Sequence, residues 1–273
     1  METLKGRVEK INLKEYAKKA LETLRGLKAV KNKIQVAKHI LGLSRDSVIY
    51  KLKNGLTFKV PNRKKDRTAI LSINDIFVDQ AYNLPINAGK SVIIDAGANI
   101  GAYSLYASQK NKNALIYALE PDSDNFSQLK DNIKINNLKN IIPIKKALSN
   151  THGQVSFFID SISSRGHSLL WQTGKKVEVE SITLQNLFKF LIIEKCAILK
   201  LDIEGAEYES LYNCPENIIR KIESIAVECH DLSNINKRFN KEGLKSFLMS
   251  KEFKIIAEDK SIILAVNSHK QSF

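Results

Sequence analysis

The sequence predicts an α/β protein built on a Rossmann-like, mostly parallel sheet, and three observations lead to this fold class. From residue 90 onward, short apolar runs alternate with amphipathic stretches of helical length. The run at 91–94 is almost entirely apolar, as expected for a parallel strand that is buried on both faces. An acidic, glycine-containing turn over 95–101 follows it and opens the next predicted helix.

Three elements are predicted before this sheet. Residues 4–43 carry apolar side chains at three- and four-residue steps between lysines and glutamates, which predicts a helix. Asn54-Gly55 lies between two alternating runs, which predicts a β-hairpin over 47–60. Residues 70–82 are predicted to form a helix that leads towards the sheet.

Strands and helices then alternate along the chain. The predicted strands cover 91–94, 115–119, 141–145, 155–159, 177–181, 197–201, 224–227, 253–257 and 262–266. The predicted helices cover 101–110, 123–136, 183–192, 207–213 and 240–251. We expect a mostly parallel, seven-stranded sheet with an antiparallel closing strand, preceded by the basic helix and the hairpin. The expected segments are 1–45, 46–89 and 90–273.

The positive charge is concentrated at the front of the chain. Residues 1–67 contain 19 Lys and Arg against 6 Asp and Glu, whereas the remaining residues contain 24 against 23. This asymmetry indicates contact with a polyanion or an anionic membrane surface through residues 1–67. The alternative is that the lysines simply solvate a surface helix, and the charge alone favours neither interpretation.

Cysteine usage and hydropathy indicate a cellular location. The three cysteines form no CxxC pair, which argues against a disulfide framework or a zinc site and fits a reducing compartment. The first residues lack the apolar core of a signal peptide, and no apolar run is long enough to span a bilayer. We therefore expect a cytoplasmic protein without an integral membrane segment, and peripheral association with a membrane is compatible with the charge.

The turn over 95–101 is the strongest indication of a cofactor site. Asp95 ends the first strand, and Gly97 and Gly101 allow a tight turn into the helix. Asn99 stands where a dinucleotide-binding turn has its second glycine. Because the charge of Asp95 would repel a diphosphate and attract an ammonium or sulfonium group, we expect a cationic ligand.

A second acid follows at the offset typical of ribose recognition. Glu120 ends the next strand, about twenty residues after the turn. Its carboxylate is placed to accept hydrogen bonds from both ribose hydroxyls, and Pro121 ends the strand. The two strand-end acids together favour a nucleoside ligand over a ligand-free turn.

A third strand end collects several charged residues. Lys200, Asp202, Glu204 and Glu207 all lie within the segment 198–207. Carboxylates assembled at the carboxyl end of a strand are costly unless they share protons, bind a cation or hold a substrate. We therefore expect this segment to contribute to catalysis.

These motifs resemble the FkbM family of S-adenosylmethionine-dependent methyltransferases. The resemblance rests on Asp95-Ala-Gly-Ala-Asn-Ile-Gly101, Ala118-Leu-Glu-Pro121 and Leu199-Lys-Leu-Asp-Ile-Glu-Gly-Ala-Glu207, in this order. It implies a class I methyltransferase fold, S-adenosylmethionine as cofactor, and methylation of a hydroxyl on a sugar, glycolipid or related natural product. Gln185 is a departure, since the family often has Asp there, and this leaves a substrate-side role for that position in doubt.

The resemblance and the local chemistry give a set of candidate site residues. The candidates for cofactor binding are Asp95, Gly97, Ala98, Asn99, Gly101, Glu120, Pro121, Ala147, Leu148 and Asp202. Asp202 is the first candidate for handling the proton and His230 the second, with Lys200 and Glu204 beside them. The substrate candidates are Glu207, Glu228, His167 and Ser168. No metal site is predicted. A divalent cation held by Asp202 and Glu228 is conceivable, and the sequence does not separate it from ion pairing with Lys200.

Two other functions compete with this interpretation. An RNA methyltransferase could grip phosphates with its basic front end, but the acids over 202–207 occupy the place of an Asn-Pro-Pro-Tyr-type loop. An inactive cofactor-binding adaptor at a membrane surface would not need both the glycine turn and the acidic segment. We therefore expect an enzyme that acts on a small-molecule or glycan hydroxyl.

Overall fold

The sheet region folds as a doubly wound α/β structure. The structure is a computed structural model, and it describes residues 13–62, 67–85, 88–159, 168–169, 174–259 and 261–268, with side chains from Ala20 onward. Its central sheet contains β3 (Val92–Ala96), β4 (Leu115–Leu119), β5 (Ile141–Ile144), β9 (Cys196–Leu201), β10 (Ser224–Glu228), β11 (Phe253–Glu258) and β12 (Ile262–Asn267).

The strand order confirms the predicted fold class. The seven strands lie in the order β11-β12-β10-β9-β3-β4-β5. Strands β5, β4, β3, β9 and β10 pair in parallel, and β12 runs antiparallel to both of its neighbours. The order reverses at β3, whose neighbours are the later strands β4 and β9. This arrangement is the mostly parallel, Rossmann-like sheet with an antiparallel closing strand that the sequence predicts.

Helices cover both faces of this sheet. They are α4 (Ala102–Lys110), α5 (Ser123–Ile135), α6 (Leu184–Phe190), α7 (Glu207–Tyr212), α8 (Glu216–Ile219) and α9 (Lys241–Ser250). Successive strand residues point to opposite faces, so Ile93 packs in the cluster with α4 and α5 while Ile94 packs in the cluster with α6, α7 and α9. The apolar runs in the sequence are therefore buried on both sides, as predicted.

A separate three-stranded sheet follows β5. It contains β6 (Ala147–Leu148), β7 (Gly153–Ile159) and β8 (Lys175–Ile182) in the order β6-β8-β7. The sequence predicted strands at 155–159 and 177–181 but did not separate them from the central sheet. Their alternating burial fits a sheet with one exposed face, and this differs from the continuous burial of the central strands.

The basic front end forms two helices instead of the one that was predicted over 4–43. They are α1 (Leu13–Gly26), which continues into a 3₁₀ turn at Leu27–Ala29, and α2 (Lys33–Ile40); residues 1–12 lie outside the described part. Val30 is extended between them and forms an antiparallel bridge with Leu52. Pairing with the hairpin therefore overrides the helical periodicity at this point.

The predicted hairpin is present and is fastened to α5. Strands β1 (Val48–Lys51) and β2 (Thr57–Val60) pair in antiparallel register around Gly55, whose φ is +97°. The free edge of β2 is completed by asparagine side chains: the Lys59 amide donates to Asn132 and the Thr57 amide to Asn136, both at 2.8 Å. These bonds satisfy amides that would otherwise form an open sheet edge.

The segment between the hairpin and the sheet forms a short helix and an irregular turn. Helix α3 (Thr68–Ile73) passes into a π-helical turn at Asn74–Val78, so regular helix ends well before the predicted residue 82. The apolar cluster on this face of the sheet contains residues from all three predicted segments, including Val36, Phe58 and Ile93. None of the described helices is long and apolar enough to cross a membrane.

Candidate functional site

The central cavity opens at the carboxyl ends of β3, β4 and β9. It encloses about 860 Å³, part of which is its open mouth. The position is the topological switch point, where open α/β sheets bind ligands. The fold therefore places a cavity where the sequence motifs converge.

Most of the predicted site residues line this cavity. Those present are Gly97, Ala98, Asn99, Glu120, Pro121, Ala147, Leu148, Lys200, Asp202 and Glu204. Six other candidates that the structure describes do not line the cavity: Asp95, Gly101, Ser168, Glu207, Glu228 and His230. His167 lies outside the described residues.

The two glycines of the turn are required by protein packing. Gly97 has a φ of +76°, and a Cβ there would lie 1.8 Å from the backbone oxygen of Asp202. Gly101 has a φ of +93°, and its Cβ would lie 2.7 Å from Leu129 Cδ1 on α5. The group that approaches Gly97 closely is the backbone at the end of β9. The glycine thus joins the two strand ends that flank the cavity.

Glu120 presents a buried carboxylate to the cavity. Its residue is 4% exposed, and its two oxygens accept from the amides of Asn99 and Asp122, at 2.8 and 2.9 Å. Burial raises the pKa of Glu120 to about 8, although the two amides and the Lys200 ammonium oppose the shift. A buried carboxyl with spare lone pairs on a cavity wall is suited to accept hydroxyl hydrogen bonds.

Asp95 lies beneath the turn and has an ion-pairing partner there. It is fully buried, its Oδ1 is 3.2 Å from the Lys200 ammonium, and its Oδ2 accepts from the Ser104 hydroxyl at 2.6 Å. Lys200 also donates to the Gly97 carbonyl at 2.9 Å. Burial alone would lower the pKa of Lys200, but Asp95 and Asp202 raise it, so the side chain is a cation. Asp95 would therefore influence a bound ligand indirectly, by positioning Lys200 and the glycine turn.

A second charged group holds the segment after β9. His230 lies between two carboxylates, with Nδ1 at 3.0 Å from Glu207 and Nε2 at 3.2 Å from Glu204. Burial alone would lower the pKa of His230, but the hydrogen bonds to Glu204 and Glu207 raise it to about 12. An imidazolium with both nitrogens donating is a poor proton acceptor at neutral pH. His230 is thus better suited to positioning Glu204 than to acting as a base.

Glu207 organises the turn from below. It is fully buried, and its two oxygens accept from the amides of Ile203 and Gly205, each at 2.9 Å. Glu204 at the tip of this turn has a left-handed φ of +52°. Burial raises the pKa of Glu204, against the opposing effect of its hydrogen bond to His230. The Ser168 hydroxyl donates to the Glu204 carbonyl at 2.7 Å and fixes the backbone of the tip.

Asp202, Glu228 and His230 bring potential ligand atoms within 4.8 Å of one another. His230 Nε2 donates to Glu204, and the Lys200 ammonium is 3.5 Å from Asp202. Glu228 accepts from the Tyr82 hydroxyl at 2.9 Å. Asp202 and His230 thus each have a charged side-chain partner, and the absence of a metal site stays a prediction.

One wall of the cavity comes from residues that the sequence analysis did not select. Ser72, Asp75, Ile76 and Tyr82 precede the sheet and also line the cavity. Tyr103, Ala102, Asn125, Phe157, Leu169 and Ile203 complete the lining. Only the tertiary fold brings the first group to the site, since an acid and a tyrosine near a predicted helix have no distinctive spacing.

Known proteins similar to this chain agree with the geometry. The methyltransferase FkbM domain matches residues 95–253. "Methyltransferase 1" of Beauveria bassiana is 25% identical over 207 residues, which cover 67% of this chain and 80% of that protein. "Methyltransferase sdnD" of Sordaria araneosa is 26% identical over 193 residues, covering 59% of this chain and 74% of that protein.

A solved structure of a methyltransferase FkbM from Methylobacillus flagellatus also aligns with this chain. Its TM-score is 0.47 at 11% identity, and the alignment covers 93% of this chain and 60% of that one. The domain match covers more than half of the sequence and contains the glycine turn, Glu120 and the acidic segment. The chain belongs to the FkbM family of methyltransferases.

Proposed function

We propose that this protein transfers the methyl group of S-adenosylmethionine to a hydroxyl of a small organic acceptor, such as a sugar, a glycolipid or a related natural product. The observation that supports this most directly is the buried carboxyl of Glu120 on the wall of an acid-rich cavity at the switch point of the sheet. Family membership supplies the reaction class, and the cavity supplies the chemistry of the ligands.

The residues present fit the cofactor. Glu120 would accept the ribose hydroxyls, the backbone of Gly97–Asn99 would face the methionine end, and Leu148 and Phe157 would contact the adenine. Among the described residues that line the cavity, the acids Asp75, Glu120, Asp202 and Glu204 outnumber Lys200, so the cavity favours a positively charged ligand once Glu120 ionises. When bound, S-adenosylmethionine supplies an electrophilic methyl carbon whose bond to sulfur breaks as its bond to the acceptor oxygen forms.

The chain's own residues would remove the acceptor proton. A hydroxyl needs a base within hydrogen-bond reach, and Asp202 and Glu204 both line the cavity. Burial raises the pKa of Glu204 towards the range of an efficient base, whereas Asp202 is beside the Lys200 ammonium. We therefore place the acceptor proton on a carboxylate oxygen of Glu204, with His230 orienting that carboxylate and Asp202 positioning the acceptor.

Cofactor binding provides the first test. Isothermal titration calorimetry with S-adenosylmethionine and S-adenosylhomocysteine should give binding that Glu120→Gln weakens roughly 10- to 100-fold, because a hydrogen bond to a charged group contributes about 1.5–3 kcal/mol. Glu194→Gln is the matched control, since Glu194 is exposed and does not line the central cavity. Equal affinity in all three proteins would contradict the assignment.

Methyl transfer into fractionated acceptors provides the second test. Labelled cofactor should transfer its methyl to a glycolipid, saccharide or small-molecule fraction, and Glu204→Gln should lose turnover while keeping cofactor affinity. Label that enters only an RNA fraction would contradict a small hydroxyl acceptor and support the competing RNA methyltransferase. Cofactor binding without transfer to any fraction would support the inactive adaptor.

A further inference from the structure

The two front helices expose an unusual concentration of large apolar side chains. Leu21, Leu24, Ile34, Leu41 and Leu43 are each more than half exposed, from 58% for Leu21 to 77% for Ile34. These five lie within 23 consecutive residues. The rest of the described chain exposes only six other large apolar side chains. Single exposed leucines are ordinary, but a cluster on one small unit indicates an interaction surface.

The exposed side chains occupy one face of each helix. On α2, Ile34, Lys38 and Leu41 follow one another at four- and three-residue steps and are exposed, while Val36 and Ile40 point to the core. Around α1, Leu21, Leu24 and Lys28 follow at three- and four-residue steps and are exposed. Each exposed face therefore combines apolar side chains with a lysine.

Positive charge dominates beside these faces, with Glu22 as the acid within residues 20–45. From residue 23 to residue 45 the sequence contains no acid, and Lys28, Lys31, Lys33, Lys38 and Arg45 are all exposed. A surface that joins exposed leucine and isoleucine to lysine matches the interface of an anionic bilayer, where the apolar groups enter the acyl boundary and the ammonium groups face lipid phosphates. A nucleic acid backbone would use the lysines but offers no apolar partner for the leucines.

We propose that residues 20–45 form a docking surface for an anionic lipid bilayer. This inference is independent of the acceptor and goes beyond methyl transfer. The surface is held to the body of the protein by the Val30–Leu52 bridge, by the ion pair of Arg25 with Asp79, and by Gly26 packed on Ile70. Helix α1 also packs against α3 and the π-helical turn, which carry the cavity wall of Ser72, Asp75 and Ile76. Docking would therefore hold the cavity close to the membrane.

Vesicle sedimentation with the full chain tests this surface. The protein should partition onto phosphatidylcholine vesicles that contain phosphatidylserine, weakly onto phosphatidylcholine alone, and less as salt is raised. The variant K31Q/K33Q/K38Q should lower the partition coefficient about fivefold for each lysine removed, roughly a hundredfold in all. L24S/I34S/L41S should lower partition onto the anionic vesicles as well, because the acyl boundary no longer gains apolar contacts.

Matched controls change the same chemistry elsewhere. F190S/I192S removes two apolar side chains that are 74% and 81% exposed at the end of α6, and K110Q/K254Q removes two exposed lysines of the sheet region. Both controls should bind vesicles as the unmodified protein does, and circular dichroism should show that all variants are folded.

Three results would overturn the proposal. The first is equal binding to neutral and anionic vesicles, or no binding to either. The second is undiminished partition of L24S/I34S/L41S, with RNA binding that depends on the lysines alone. The third is that the protein does not bind vesicles but forms a concentration-dependent dimer, and that L24S/I34S/L41S is monomeric. This result would assign the surface to contact with a second copy of the chain.

Discussion

Glu120 and Asp95 are both acids at the ends of central strands, yet their surroundings differ. Glu120 faces the cavity and accepts hydrogen bonds from two backbone amides, and burial dominates its pKa. Asp95 is opposite Lys200 in the register of β3 and β9 and forms an ion pair with it. The sequence predicts both positions, but the parallel pairing that brings Lys200 to Asp95 is a property of the fold.

The raised pKa of Glu120 predicts proton release when the cofactor binds. Its pKa rises from 4.5 to about 8 in the folded protein, so the folded state holds a proton that the unfolded state loses above pH 4.5, and stability falls as pH rises through this window. Ribose hydroxyl donors favour the ionised form. Cofactor affinity should therefore increase up to about pH 8 and then level off. Titrations at neutral pH in buffers of different ionisation enthalpy should show the released proton, and Glu120→Gln should abolish it.

Gly97 and Gly42 allow a test that separates backbone strain from close packing. Both have similar positive φ values, +76° and +73°, but only Gly97 has atoms in the space that a Cβ would occupy. Gly42→Ala should cost about 1–2 kcal/mol in the free energy of unfolding, which is the strain of a left-handed residue. Gly97→Ala should cost clearly more and should also weaken cofactor binding. Urea unfolding measures both free-energy losses. Equal losses for the two variants would show that the backbone at Asp202 moves aside at little cost.

At the scale of elements, the central strands and the hairpin were predicted well and the front helices were not. Strand β4 has the predicted bounds because its apolar run ends at the Glu120-Pro121 pair. The break at Val30 was missed because it results from pairing with Leu52, which is far away in the sequence. The π-helical turn at Asn74–Val78 was missed for a similar reason, since the apolar periodicity continues through it.

The turn between β9 and α7 should depend on the charge of His230. Removing the cation between Glu204 and Glu207 with His230→Gln should cost about 3–5 kcal/mol, as expected when one member of a buried ion pair is lost. The pKa of His230 is raised from 6.5 to about 12, so its contribution is complete below about pH 6.5 and is lost as pH rises towards 12.

Chemical unfolding across neutral and alkaline pH would measure this effect. The difference in stability between the unmodified protein and His230→Gln should shrink by up to about 1.4 kcal/mol per pH unit as pH rises. His152→Gln is the control, because His152 is exposed and should change stability little. A difference that does not vary with pH would contradict an imidazolium at position 230.

For the whole molecule, the sequence predicted the fold class, the switch-point location and one side of the site. It predicted the part of the lining that comes from the turn, the strand-end acid and the acidic segment, because these motifs are local. The lining by Ser72, Asp75, Ile76 and Tyr82 depends on how α3 and the π-helical turn pack on the sheet, and no local pattern encodes that packing. The division into segments 1–45, 46–89 and 90–273 stays a prediction, although one apolar cluster contains residues of all three.

This shared cluster predicts cooperative unfolding of the full chain. Val30 and Val36 are fully buried and Ile40 is 8% exposed, so a protein lacking residues 1–45 should lose about 5 kcal/mol from these side chains alone. Circular dichroism and tyrosine fluorescence should report a single coincident transition for the full chain. The full chain could instead show two unfolding transitions, of which the one at higher denaturant concentration is unchanged when residues 1–45 are deleted. That result would show that the first 45 residues unfold as an independent unit.

The cavity wall of Ser72, Asp75, Ile76 and Tyr82 has a consequence for the diversity of the family. These residues lie outside the matched region 95–253, whereas the glycine turn, Glu120 and Glu204 lie inside it. On the proposed assignment, we expect mutations in this wall to change acceptor choice without disturbing recognition of the methyl donor. We expect relatives with the same donor machinery to modify chemically unrelated compounds, so the front of the sequence should be the better guide to what each one methylates.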